Sequence, residues 1–255
     1  MDRIARAEVK YRELFGEQAS SFDTTDPEFM AILKRLIFGE VFHVGKLDDA
    51  TRELVTLTVL TVNQTLPQLS AHVGAALNIG VAPIAIREAV YQCAPFIGFP
   101  KTLNAIGAMN DIFRARGIAL PLPAQGNSTE ADRFTQGCVL QAPLYGDEIR
   151  AGLKDLPEGL RDALPDFLTA HCFGDFYTRS GLTLAERELL VLCLLAAQGG
   201  ADVQMRAHAL GCMKAGNDKA TLIAALIHGF PYMGFPRAIN AIRLVREADS
   251  PVRHP

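Results

Sequence analysis

Tryptophan is absent from the 255 residues and aromatics amount to 7%, so a core must be built mainly from aliphatic side chains. Apolar residues make up 49%, which is enough for a substantial one. No two of the five cysteines (Cys93, Cys138, Cys172, Cys193 and Cys212) are closely spaced, and no C-x-x-C occurs. An odd count without pairs argues against a disulfide framework and for thiols in a reducing compartment. Basic charge is not concentrated: the net charge is −3 and no basic stripe exists, which argues against a nucleic-acid partner. The longest apolar run, Leu189 to Ala197, is about half a membrane span, so no membrane partner is expected. The opening M-D-R-I-A-R-A-E-V-K-Y-R lacks the apolar run of a signal peptide, and the expected location is the cytoplasm. No segment alternates with a two-residue period between hairpin turns, so the chain reads as all-α.

What is present is a repeat. One stretch reads R-E-L-V-T-L-T-V-L, then Q-L-S-A-H-V-G-A-A-L-N-I-G, then F-I-G-F-P-K-T-L-N-A. Its second copy reads R-E-L-L-V-L-C-L-L, Q-M-R-A-H-A-L-G-C-M-K-A-G, Y-M-G-F-P-R-A-I-N-A. Glu53 matches Glu188 at an offset of 135; His72 matches His208, Gly80 matches Gly216 and Pro100 matches Pro236, all at 136. One extra residue therefore lies between Gln198 and Gln204. A unit of roughly 110 to 120 residues is long enough to form a domain. The expected organisation is a first unit over 1–120, a linker over 121–133 rich in Pro, Gly and small polar residues, and a second unit over 134–255.

Helix signals recur in both units. A helix is expected over residues 1–18. Asp26 can cap the next helix, with Pro27 at its first position, and Phe29, Ile32, Leu33, Leu36 and Ile37 form its apolar stripe. Asp48 can cap the helix carrying Arg52 and Glu53, and Thr183 to Glu186 is a capping box for its counterpart. Another helix is expected from Pro83 to Phe96, broken by G-F-P, whose first role is structural.

The residues that could do chemistry repeat as a set. Glu53 lies 19 residues before His72, and Glu188 lies 20 before His208. Gln68 and Gln204 each precede their histidine by four residues, on the same helical face. If the two helices of a unit run antiparallel, the carboxylate can approach the imidazole and form an acid–base pair. The bland alternative is that Arg52 and Glu53, like Arg187 and Glu188, only form ion pairs at helix starts. Tyr232 can pack its ring while its hydroxyl faces a substrate.

The pattern R-E-L, Q-x-x-x-H-x-x-x-A-L-N-x-G, Y/F-x-G-F-P-x-x-x-N-A resembles the carboxymuconolactone decarboxylase family, over 38–108 and again over 173–246. The resemblance implies a tandem duplication of an alkylhydroperoxidase D-like helical bundle and assembly as a homo-oligomer, a trimer of fused pairs. It implies catalytic roles for His208, His72, Glu188 and Glu53, and substrate contacts for Arg179, Gln204, Gln68 and Tyr232. Arg179 stands where the family often has an arginine, and a guanidinium there could grip a carboxylate. The family's peroxidase branch places C-x-x-C before the histidine. Here those places hold Thr65 and Gln68, and Ala201 and Gln204, none of which supplies a thiolate. The decarboxylase branch usually has Glu where Gln68 and Gln204 stand.

The leading expectation is an enzyme of carboxymuconolactone decarboxylase type. It would use acid–base chemistry, decarboxylation or isomerisation, on a small carboxylated or lactone substrate, with no cofactor and no metal. The alternatives are an alkylhydroperoxidase-like antioxidant oxidoreductase and a non-catalytic oligomeric binding protein. The sequence assigns Tyr232 and His228 to the same half of the molecule as His208.

Overall fold

The computed structural model describes residues 2–17 and 20–248, and every regular element among them is helical. The first copy contains α1 (Arg3–Phe15), a single turn α2 (Phe22–Thr25), α3 (Pro27–Ile37), α4 (Asp49–Asn63), α5 (Leu66–Asn78), α6 (Pro83–Tyr91), α7 (Ala94–Ile97) and α8 (Phe99–Ala115). The second contains α9 (Arg133–Tyr145), α10 (Glu148–Gly152), α11 (Ala163–Phe167), α12 (Leu184–Gln198), α13 (Asp202–Lys214), α14 (Lys219–Met233) and α15 (Phe235–Glu247). The extra residue of the second copy falls in the turn before α13: Gly199 to Ala201 link α12 to α13, where Gln64 and Thr65 suffice in the first copy.

Local chemistry accounts for most boundaries. The Asp48 carboxylate accepts the Thr51 amide at 2.7 Å and starts α4; the Thr183–Glu186 capping box starts α12. Gly98 and Gly234 take φ of +84° and +86° ahead of α8 and α15, each with proline in the first turn. The expected 1–18 helix is α1, capped by Asp2; Met1 and Gln18 lie outside the described residues. Asp26 does not cap α3, because its carboxylate takes the Thr25 hydroxyl instead. The stripe on α3 has the expected period, but Phe29 and Ile32 face outward. The expected helix from Pro83 to Phe96 is interrupted after Tyr91, whereas its counterpart α14 continues through Pro231.

One feature has no signal in the periodicity. Residues Leu168–Tyr177 form a π-helix that continues α11. It packs against α9 at backbone distance: a Cβ on Gly137 would stand 2.1 Å from the Thr169 carbonyl oxygen, and one on Gly174 would stand 2.2 Å from that of Arg133. With the wider turn, the Phe173 and Tyr177 rings meet at 4.7 Å, tilted by 39°, on the face toward α12.

The helices α4 and α12 are buried from Arg52 to Val62 and from Arg187 to Ala197, apolar on nearly every side, and they pack side by side at the centre. One continuous hydrophobic core runs through both copies. The second copy's α14 lies across the first copy's α4. The linker is held down at both ends: Arg87 reaches the carbonyls of Leu122 and Pro123, Ser180 donates to the Gln125 carbonyl, and Asn127 donates to that of Thr178. Among the described residues no helix is long and apolar enough to cross a membrane.

Candidate active site

Each copy builds a Glu–His pair from its central helix and the helix after it. Asp48 and the capping box put Glu53 and Glu188 in the second turn of α4 and α12, where both are fully buried. The short turn that follows sends α5 and α13 back alongside. The His72 Nδ1–H then donates to Glu53 Oε2 at 2.8 Å, and the His208 Nδ1–H reaches Glu188 Oε2 at 3.0 Å. A carboxylate can only accept, so it selects the tautomer with the proton on Nδ1. Neither Nε2 has a partner, and neither is among the fully buried unpartnered atoms. Each imidazole therefore leaves its Nε2 edge unbonded among the described residues. The pairing is between Glu and His, not between Glu and the adjacent arginine.

The two pairs sit in different surroundings. Glu188 accepts from three donors: His208, the Tyr177 hydroxyl at 2.7 Å, and the Tyr145 hydroxyl in a short hydrogen bond. Tyr145 oxygen also lies 2.7 Å from His208 Nδ1. Burial, then the Glu188 charge, pushes both phenols upward, so they remain neutral donors. In the first copy phenylalanine stands at both places, Phe15 for Tyr145 and Phe42 for Tyr177. Glu53 Oε1 is consequently buried with no partner. The phenols were legible only by setting the repeats side by side beyond the matching motifs.

The sites are also composite. Tyr232 packs edge-on against His72 at 5.3 Å, and Phe96 packs against His208 at 5.6 Å. Each ring thus serves the other copy's histidine, and the grouping of Tyr232 and His228 with His208 is corrected: α14 lies on α4, so its rings face α5. The Tyr232 hydroxyl is buried, and burial, then the Glu53 charge, pushes it upward against the opposing influence of the Thr56 hydroxyl. His228 is fully buried and shares a 3.0 Å hydrogen bond with the Thr56 hydroxyl. Burial, reinforced by the Arg52 charge, brings its imidazole down to about 3.

Other expected contacts fall elsewhere. Gln68 and Gln204 are exposed and make no hydrogen bond, since each lies one turn nearer solvent than its histidine. Arg179 makes no contact with His208. Its guanidinium forks onto Glu88, Nε to Oε2 at 2.8 Å and Nη2 to Oε1 at 2.9 Å, and lies over the Tyr91 ring. Glu88 also takes Arg87 at 3.0 Å and Arg187 at 3.4 Å. Burial alone would push the Glu88 carboxyl up, but these arginines, Arg179 first, hold it below the ordinary range. Sequence reasoning missed Glu88; its counterpart at the same offset is Ala224.

Burial raises the thiols of Cys93, Cys172 and Cys212, and lifts Cys193 to about 12, so these four stay protonated. Among the described residues no three metal-ligating side chains converge. Two surface hollows, of about 420 and 210 Å³, lie away from both histidines: one between α1 and α3, the other where α15 meets α12 and α13.

Comparison with known proteins identifies the family. The profile described as the carboxymuconolactone decarboxylase family matches residues 27–111 and 162–247. The chain is 27% identical over 114 residues to the 4-carboxymuconolactone decarboxylase of Acinetobacter baylyi, covering 45% of this chain and 85% of that one. It is 33% identical over 69 residues to a nitrosuccinic acid decarboxylase of Metarhizium robertsii, covering 27% of this chain and 48% of that one. A crystal structure described as a gamma-carboxymuconolactone decarboxylase subunit, from Burkholderia xenovorans, shares the fold with a TM-score of 0.53 at 18% identity, over 96% of each chain. Two matched regions, each centred on a buried Glu–His pair, place this chain in the carboxymuconolactone decarboxylase family, as two of its units in tandem.

Proposed function

We propose that the protein is a carboxy-lyase of the carboxymuconolactone decarboxylase type, acting on a small carboxylated or lactone substrate by acid–base chemistry without a cofactor. The observation that carries this reading is the repeated pair in which a buried carboxylate holds the imidazole by Nδ1 and leaves Nε2 free. Loss of CO2 leaves an electron pair on carbon, which the substrate's own lactone or nitro group withdraws. The imidazolium of His72 or His208, protonated from solvent at Nε2 and compensated at Nδ1 by the carboxylate, then delivers that proton to the carbon and returns to the neutral ring. Gln68 and Gln204, at the solvent end of the same helical face, and Arg179 are assigned to substrate contact only if substrate binding reorganises them.

The test is turnover of a carboxymuconolactone and of nitrosuccinic acid, the substrates named for two relatives. The double variant His72→Ala/His208→Ala is expected to lose roughly 10²-fold or more of the rate. Rates unchanged in that variant remove the acid–base reading and leave a binding protein, which the near-complete burial of His72 would suit. A peroxidase activity is not supported, because no C-x-x-C is present and four of the five thiols are buried, Cys138 alone being exposed.

The reading extends to a homo-oligomer in the cytoplasm, where unpaired thiols remain reduced. Large apolar residues stand more than half exposed at repeat-equivalent positions: Phe99 and Phe235, Leu103 and Ile239, Phe29 and Leu164, Ile32 and Phe167. Keeping apolar surface at the same place in both copies fits a repeated interface around a ring. Light scattering after size exclusion should report a multiple of 27.7 kDa for the natural chain and a single chain for Phe99→Glu/Phe235→Glu. A monomeric natural chain would overturn this part.

A further inference from the structure

The two copies treat their buried arginine differently. In the second copy the Arg187 guanidinium donates to Glu88 Oε2 at 3.4 Å, to Gln92 Oε1 at 2.8 Å, and to the carbonyl oxygens of Arg179 and Ser180. Its charge is met by a carboxylate. In the first copy Arg52 is equally buried, at 1% exposure, and meets two carbonyls, Val44 at 2.8 Å and Val41 at 3.5 Å, and the face of the Phe42 ring at 5.9 Å, with no carboxylate in hydrogen-bond reach among the described residues. The position of Glu88 is taken by Ala224, and that of Gln92 by His228. The nearest acids act only at a distance, since Asp48 caps α4 and Asp49 pairs with Lys10. A buried guanidinium is normally paired, because leaving it without an anion forfeits its solvation with no return.

The Nε–H of Arg52 is buried without a partner, as is that of Arg187, and the neighbouring imidazole of His228 is fully buried. We propose that the first copy binds a small carboxylate against Arg52, in the place that the Glu88 side chain occupies beside Arg187. The chemistry sets the size. Glutamate exceeds alanine by one CH2–CO2⁻ group, so the missing piece is that of acetate or formate. Closer approach of the exposed loop at Gly45, where a Cβ would stand 2.5 Å from Ala224 Cβ, keeps larger acids out. A carboxylate held there lies beside Tyr232, whose ring contacts His72, so the ligand site adjoins the first Glu–His pair and not the second. The inference rests on the charge imbalance and stands independently of the catalytic reading.

The full-length chain with ¹⁵N-labelled arginine is titrated with sodium formate, ionic strength being held constant with sodium gluconate. The Nε–H signal of Arg52, assigned through Arg52→Lys, is expected to move saturably while that of Arg187 stays in place. Ala224→Glu, which rebuilds the Arg187 arrangement, is expected to weaken formate binding at least about tenfold. An Arg52 signal that does not move, moves without saturating or moves in step with Arg187 overturns the proposal, as does undiminished binding by Ala224→Glu. If that variant does not fold, the titration of the natural chain decides alone. Loss of the site would leave the turnover assay of the Glu–His pairs untouched.

Discussion

Replacing Glu88 with alanine is expected to cost about 3–5 kcal/mol of folding stability, the largest effect of any single substitution considered. Glu88 is fully buried and is the shared acceptor for Arg87, Arg179 and Arg187. Two of those arginines come from the second copy, so the carboxylate ties α6 to the start of α12 across the molecule. Its removal leaves up to three guanidinium groups, with side chains 1–17% exposed, without their anion. The Arg187 carbonyl bonds survive but carry no countercharge. Urea unfolding at pH 7 measures the loss as a lower midpoint at unchanged slope. Glu88→Gln keeps the shape and part of the hydrogen bonding, and should fall between the two. Because the folded carboxyl is held below its ordinary value, its contribution is complete above that ordinary value and fades as pH falls through the folded one. The gap between natural chain and Glu88→Ala should therefore close in strong acid. A loss below about 1 kcal/mol at pH 7 would show that the guanidinium groups find water or other acceptors.

His228 should dominate the acid limb of stability between pH 5 and 6.5. Its folded imidazole titrates at about 3, against an ordinary value of 6.5. Between those values the unfolded chain binds a proton that the folded chain does not, so stability rises with pH through that window and is full above it. Each pH unit within the window is worth roughly 1.4 kcal/mol. On lowering pH from 6.5 to 5 the natural chain should thus lose about 2 kcal/mol through this residue. Carboxylates with depressed values lose their contribution at lower pH, which keeps the window distinct. His228→Gln places there the residue found at the equivalent position, Gln92, which can still bond Thr56. That variant should show a flatter profile in urea unfolding at pH 5, 6 and 7. An equal slope in both proteins would mean that His228 takes up its proton without leaving the fold.

Legibility in the sequence followed the range of the interaction. The Glu–His pairs were accessible because an antiparallel helix pair with a short turn brings residues 19 or 20 apart into register. Capping by Asp48 and Thr183 was accessible for the same reason, since the donor lies three residues away. Tyr145 and Tyr177 were not, because they reach Glu188 from 43 and 11 residues off through α9 and a π-helical turn that no 3.6-residue pattern announces. Arg179 looked like a free cation in its motif, yet its partner Glu88 is 91 residues away in the other copy.

By itself the amino-acid sequence determined the helical class, the duplication and the capped starts of α4 and α12, and it offered the pairing of each carboxylate with the imidazole of its own repeat. All of these arise from periodicity, end-capping and contacts within one repeat. Only the tertiary structure decided that the copies share one core, that each histidine receives its aromatic neighbour from the opposite copy, and that Arg187 is neutralised while Arg52 is not. The reason is physical: near-identical repeats encode near-identical local folds, whereas charge compensation and ring packing between them depend on how α14 comes to lie on α4, and no single repeat contains both surfaces.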